Sequence, residues 1–194
     1  TNKKKTIAAN VTSIEIILKY TTKKQKLIYP TTNSGYGIGQ KDKYCDENSP
    51  LNPISLYGVT KLQAEKLVMT HKNSVAFRLA TVFGFSYRMR TDLLVNNFVE
   101  RAVKSNKLDI FEPHCRRNYV HILDVVGAFI FAIKNFKKLK GNVFNLGLSS
   151  ANLSKLKLAK KIKENYKSVK IKIIKNRTDP DKRDYFVSSR NIEK

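Results

Sequence analysis

Apolar residues recur at helical spacing over residues 7–20 (IAANVTSIEIILKY), and the run ends in a charged turn. Residues 26–32 form a short apolar run that closes in hydroxyl residues, and a loop rich in Gly, Asn, Asp and Pro follows over 33–53. The pattern then predicts a helix over 57–71, a strand over 75–80, a helix over 93–104 and strands over 108–111 and 118–121. It closes with a helix over 124–136, a strand over 142–146, a helix over 153–166 and a strand over 170–174. Strands alternating with helices of about 10–15 residues signal parallel βαβ units, so the fold class is α/β. Open parallel sheets place ligands at the C-terminal ends of their strands. Two such ends stand out: Pro30-Thr31-Thr32, and Ala80-Thr81-Val82-Phe83-Gly84.

Composition narrows the class without naming a partner. The 194 residues include 41% hydrophobic and 10% aromatic positions, enough for a packed core. The longest apolar run near a helical pattern, residues 125–133, falls far short of the roughly 20 residues a bilayer span needs, so no membrane partner is expected. Residues 1–5 are polar, and no signal-like apolar segment follows them. Cys45 and Cys115 make neither a disulfide framework nor a metal spacing, which suits a reduced, cytoplasmic setting. Lys+Arg number 38 against 15 Asp+Glu, a formal charge of +23. Lysines outnumber arginines by 29 to 9, whereas base readout and bidentate phosphate recognition lean on arginine. Many of the lysines fall within 155–175, on the solvated faces of a helix and a strand. The charge is therefore read as surface bias, with no nucleic acid as partner.

Chemistry concentrates at Tyr57-Gly58-Val59-Thr60-Lys61, which sets a phenol and an ammonium on one face at the head of a helix. A phenol with its ordinary pKa of about 10 is a poor base at neutral pH. A lysine held nearby favours the phenolate, and such a phenol can exchange a proton with a substrate hydroxyl. Upstream, a strand ends in Thr32, whose hydroxyl is suited to bind the same substrate oxygen.

These residues sit in a longer ordered set. Thr32 precedes Tyr36-Gly37 by four positions, and Glu47, Pro50, Pro53, Tyr57 and Lys61 follow, then Arg78 and Gly84. Arg117-Asn118-Tyr119-Val120-His121 with Asp124-Val125, and Gly141-Asn142-Val143-Phe144-Asn145-Leu146-Gly147, complete it. The set resembles the extended short-chain dehydrogenase/reductase family, in particular its NAD-dependent nucleotide-sugar epimerases and dehydratases of the UDP-glucose 4-epimerase type. The resemblance implies a Rossmann-type doubly wound parallel sheet with a small α/β substrate-binding domain. Residues 1–84 would carry the later part of the NAD-binding domain and 85–194 mainly the nucleotide-sugar region, with residues near 108–147 returning to the Rossmann sheet. It implies Thr32, Tyr57 and Lys61 as the catalytic set. Asn10, Tyr57 and Lys61 would lie at NAD, and Thr81, Arg117 and Asp184 at the nucleotide sugar, a UDP-sugar first. Arg183, in the late loop 179–185, would reach phosphate. A homodimer through a four-helix bundle that includes the helix over 57–71 is also implied.

The family's Gly-x-x-Gly-x-x-Gly segment is not found in these residues. Gly35-x-Gly37-x-Gly39 has the wrong spacing and is followed by a polar loop, so it is read as a decoy. The resemblance therefore covers only the family's second part, as in a truncated gene or a fragment, and an inactive remnant stays open. After Thr32 the family's 4,6-dehydratases carry Asp-Glu, where this chain has Asn33 and Ser34. Neither does acid–base work at neutral pH, which disfavours elimination. A 4-epimerase that oxidises and re-reduces one sugar carbon is the expected chemistry, with a ketosugar reductase or a dehydratase as the alternatives.

Overall fold

The computed structural model describes residues 2–39, 43–175 and 183–193. Its first helix runs through three stretches: α1 (Lys3–Ile7), a π-helical turn (Ala8–Thr12) and α2 (Ser13–Tyr20). The Asn2 carboxamide opens it by accepting from the Lys5 N–H at 3.1 Å. There follow β1 (Leu27–Thr32), a 3-10 turn (Asn33–Tyr36), β2 (Tyr44–Cys45), α3 (Leu56–Met69), β3 (Ser74–Leu79) and β4 (Thr81–Phe83). The middle of the chain gives α4 (Leu94–Ser105), β5 (Lys107–Ile110), β6 (Arg116–His121), α5 (Ile122–Lys134), α6 (Phe136–Leu139) and β7 (Val143–Leu146). It ends in β8 (Asn152–Ser154), α7 (Lys155–Asn165), β9 (Lys170–Ile173), β10 (Phe186–Val187) and α8 (Arg190–Glu193).

The central sheet is parallel, in the order β1-β3-β7, with Leu27 opposite Ser74 and Leu79 opposite Leu146. Strand β3, SVAFRL, is buried almost throughout, as a strand covered on both faces must be. Strand alternation sends Val75 and Phe77 to one side, where they pack with Val125, Ala132 and Phe136 of the α5–α6 region. Arg78 turns to the other side, towards α3. A second core gathers Val95, Phe98 and Ala102 of α4, Leu108 and Ile110 of β5, and Leu158, Ala159 and Ile162 of α7. Smaller sheets flank the central one: β4-β6-β8, β5-β9 and β2-β10. Within 108–147, β7 joins the central sheet, while β5 pairs with β9 and β6 with β4 and β8. Thr81, just beyond the strand expected over 75–80, opens β4, because the neighbouring strand β6 offers it a partner at Tyr119. No helix among the described residues is long and apolar enough to cross a membrane.

A buried polar network fixes the loop between β1 and α3. Glu65 of α3 takes Arg78 Nη2 at 2.7 Å and Nε at 3.2 Å from both carboxylate oxygens. Arg78 Nη1 donates to Tyr36 Oη at 3.1 Å and to the Glu47 carbonyl at 3.2 Å. Tyr36 donates to Asn145 Oδ1 at 2.7 Å, and burial foremost pushes its phenol up to about 12. The Glu47 carboxylate accepts from the Asn145 N–H at 2.8 Å and from Asn191 Nδ2 at 2.7 Å. Gly37, at φ +65°, has the Asn52 carbonyl where a Cβ would stand, so the space around this glycine is filled by the chain itself.

Candidate active site

The site forms where β1 ends. Thr32 is still extended (φ −150°, ψ 141°) and caps the 3-10 turn: its Oγ1 accepts from the Ser34 N–H at 3.1 Å and donates to Ser34 Oγ at 3.0 Å. Ser55 caps α3 in the same way, accepting from the Gly58 N–H at 3.1 Å, and so places Tyr57 in the first helical turn. Thr32, Ser34, Tyr57, Thr81, Arg90 and Arg183 line one cleft of about 400 Å³. Tyr57 is 48% exposed, and its hydroxyl has no hydrogen-bond partner among the described residues. A phenol presented in this way is free to meet a ligand.

Lys61 lies one turn further along α3. Its Nζ donates to Tyr29 Oη at 2.8 Å and to the Pro30 carbonyl at 2.6 Å. Burial outweighs the opposing pull of Glu65 and lowers the ammonium to about 8. Asn10, carried on the π-helical turn, donates through Nδ2 to Thr60 Oγ1 at 2.9 Å, and Thr60 in turn donates to the Leu56 and Tyr57 carbonyls. Asn10 thus reaches the first turn of α3 through Thr60.

Arg117 and Asp184 stand apart from the cleft wall. Arg117 is 6% exposed, donates to the Arg116 carbonyl at 2.9 Å, and lies 5.8 Å from the ring of Tyr185, itself a cleft residue. Asp184 receives Arg116 Nε at 2.9 Å, Nη2 at 3.1 Å and the Arg116 N–H at 2.8 Å. Burial opposes the charge on Asp184, yet the Arg116 bonds hold its carboxyl below the usual range. The structure therefore brings Thr32, Tyr57 and Thr81 together, backs them with Lys61 and Asn10, and sets Arg117 behind Tyr185. Residues 179–182 of the late loop lie outside the described residues.

Two positions in the 33–34 pair behave differently. Ser34 Oγ accepts from Arg183 Nη1, at the cleft. Asn33 is 1% exposed, and neither of its amide atoms has a partner among the described residues. Arg90 was not singled out in the sequence, because residues 85–93 carry no hydrophobic period. Its only signal is a guanidinium soon after the strand end at Gly84. Tyr29 was missed as well, although alternation places it on the α3-facing side of β1 together with Thr31. No group of three or more metal-ligating side chains occurs among the described residues.

Known proteins resemble this chain in sequence and in fold. The NAD dependent epimerase/dehydratase family matches residues 1–147. A UDP-glucose 4-epimerase of Lactobacillus helveticus is 31% identical over 159 residues, covering 70% of this chain and 48% of its own length. A dTDP-D-glucose 4,6-dehydratase of Bos taurus is 30% identical over 144 residues, covering 71% and 39% respectively. The chain thus spans less than half the length of these curated relatives. The structure of UDP-glucuronic acid 4-epimerase from Bacillus cereus, in complex with UDP-glucuronic acid and NAD, superposes with a TM-score of 0.81 at 23% identity. It covers 95% of this chain and 60% of its own. That likeness establishes a Rossmann-type fold for the chain. With the family match running over residues 1–147, most of its length, this chain belongs to the NAD dependent epimerase/dehydratase family.

Proposed function

We propose that the chain carries the catalytic part of an NAD-dependent 4-epimerase acting on a nucleotide sugar, with a UDP-sugar as first choice. The observation that carries this reading is one cleft lined by Thr32 and by Tyr57, whose phenol has no partner among the described residues, with no carboxylate at positions 33 and 34. A sugar hydroxyl held between them can give its proton to Tyr57 and recover it, with Thr32 orienting the oxygen. Asn33 and Ser34 supply no acid or base for elimination, which speaks against the dehydratase alternative. Thr81, Arg90 and Arg183 line the same cleft; Asp92 holds Arg90 through Nε at 2.7 Å and Nη2 at 2.6 Å, so an anionic nucleotide diphosphate would have to draw Arg90 from that pair.

The donors present fit the nicotinamide ribose end of NAD. The Lys61 ammonium has three N–H donors and spends two on Tyr29 and Pro30, which leaves one for a ribose hydroxyl. When bound, NAD supplies the hydride acceptor and donor. At Gly37 the Asn52 carbonyl stands where a Cβ would, so Gly35-x-Gly37-x-Gly39 offers no open cradle for the pyrophosphate. The exposed Ile16, Ile17 and Tyr20 of α2 suit a homodimer, and the unpaired, buried Cys45 and Cys115 suit a reducing cytoplasm.

The test uses the full-length protein, incubated with NAD and UDP-glucose and followed by proton NMR. The C4 epimer is the expected product. A 4-keto-6-deoxy product, or no turnover of any nucleotide sugar, would refute the epimerase reading.

A further inference from the structure

Lys61 has a partner that the motif set does not include. Tyr29, in the middle of β1, offers its hydroxyl to the ammonium at 2.8 Å, and the same ammonium lies 4.2 Å from the centre of the tyrosine ring. A cation over an aromatic face and a hydroxyl acceptor on one residue make a two-point hold. The strand explains how the ring arrives there. Tyr29 pairs with Ala76 and Thr31 with Arg78, so Tyr29 shares the α3-facing side on which Arg78 meets Glu65.

The next residue adds a third point. The Leu27 N–H bonds to the Asn73 carbonyl beside β3, so by alternation the backbone groups of Pro30 turn to the open side of β1. Pro30 has no N–H, and its carbonyl is taken by Lys61 at 2.6 Å. The ammonium is therefore fixed to the strand itself, just short of Thr32. The charged and titratable groups around it are Tyr57 and Glu65 on α3, Arg78 on β3 through Glu65, and Tyr29 on β1. Burial first, then Tyr57 and Glu65, pushes Tyr29 up to about 12, so its hydroxyl stays a neutral acceptor.

We propose that Tyr29 is the positioning residue of Lys61, holding the ammonium against the C-terminal end of β1 one helical turn from Tyr57. The hold is a property of this chain; its use in catalysis rests on the function proposed above. The two parts are separable by experiment. Reductive methylation of lysines across the pH range, read peptide by peptide by mass spectrometry, reports the titration of Lys61 without any turnover.

In the unaltered protein Lys61 should titrate at about 8. Tyr29→Phe keeps the ring but removes the acceptor for the charged form. Labelling of Lys61 at neutral pH should rise about 2.5- to fivefold, corresponding to a midpoint lower by roughly half to one unit. Tyr29→Ala admits water and should move the midpoint upward. Labelling of Lys66 and Lys72 serves as the internal control for folding, and if the alanine variant does not fold, the phenylalanine variant decides. An unchanged Lys61 profile in Tyr29→Phe overturns the hold. In the NAD-loaded enzyme the same variant should lower kcat several-fold, with KM for the nucleotide sugar unchanged. A shifted profile with kcat unaltered overturns the positioning role while leaving the contact standing.

Discussion

Tyr57→Phe is expected to lower kcat by about 10²–10⁴, the range that a positioned proton-transfer group contributes. Binding of the nucleotide sugar should stay within about twofold, because the substitution removes one oxygen and keeps the ring. Nothing in the fold depends on that oxygen: Tyr57 is 48% exposed, and its hydroxyl has no partner among the described residues. The capping of α3 by Ser55, which sets the position of residue 57, is also untouched. The measurement pairs steady-state turnover with calorimetric titration of the nucleotide sugar. A kcat within tenfold of the parent would assign the proton transfer to another group. An equal loss of binding and turnover would instead make Tyr57 a contact residue.

The second large effect falls on stability. Glu65 and Arg78 have side chains only 5% and 7% exposed, and Arg78 makes three contacts with the one carboxylate. Removing the carboxylate leaves a guanidinium in the interior that has no route to neutrality. Burial works against that charge, and the bonds to Glu65 and Tyr36 raise its pKa instead. Glu65→Ala should therefore cost about 3–5 kcal/mol, the usual effect of breaking a buried pair on one side. Replacing both members, as Glu65→Leu with Arg78→Met, should recover most of the loss, since apolar side chains of similar volume repack such sites. Urea unfolding reads both variants, and an unchanged m value confirms that the same transition is being compared. A loss below about 1 kcal/mol for the single variant would show that solvent reaches Arg78.

The alternation of strands and helices was legible in the hydrophobic pattern because each central element covers a whole period. Strand β3 and helices α3, α4, α5 and α7 all lie within a few residues of the sequence expectation. The elements that escaped it are short and held by tertiary contact: β4, β8 and β10 exist only because β6 and β2 offer edges. The π-helical turn also has no sequence period of its own. Within the site, spacing exposes Tyr57 and Lys61, because their shared helix face follows from backbone geometry, and Thr32 shows as the hydroxyl at a strand end. The surroundings of Arg117 and Asp184 do not follow from spacing. They depend on Tyr185 and Arg116, which the fold brings in from remote segments. Glu65 escaped for the same reason, since its partner lies 13 residues away on another element.

Glu47 has a consequence for synthesis. Its carboxylate waits for the Asn145 N–H and for Asn191 Nδ2, which lie 98 and 144 residues further along the chain. At roughly 5–20 residues per second on the ribosome, that wait lasts about 5–30 s. Throughout it, the loop that joins Thr32 to Tyr57 exists as a nascent segment whose latch has not yet been translated. Ribosome-stalled chains ending before Asn145 should be cut by protease within this loop, and chains released after Asn191 should resist. Equal resistance of both would mean that the loop is fastened by its neighbours alone, and that Glu47 is no latch.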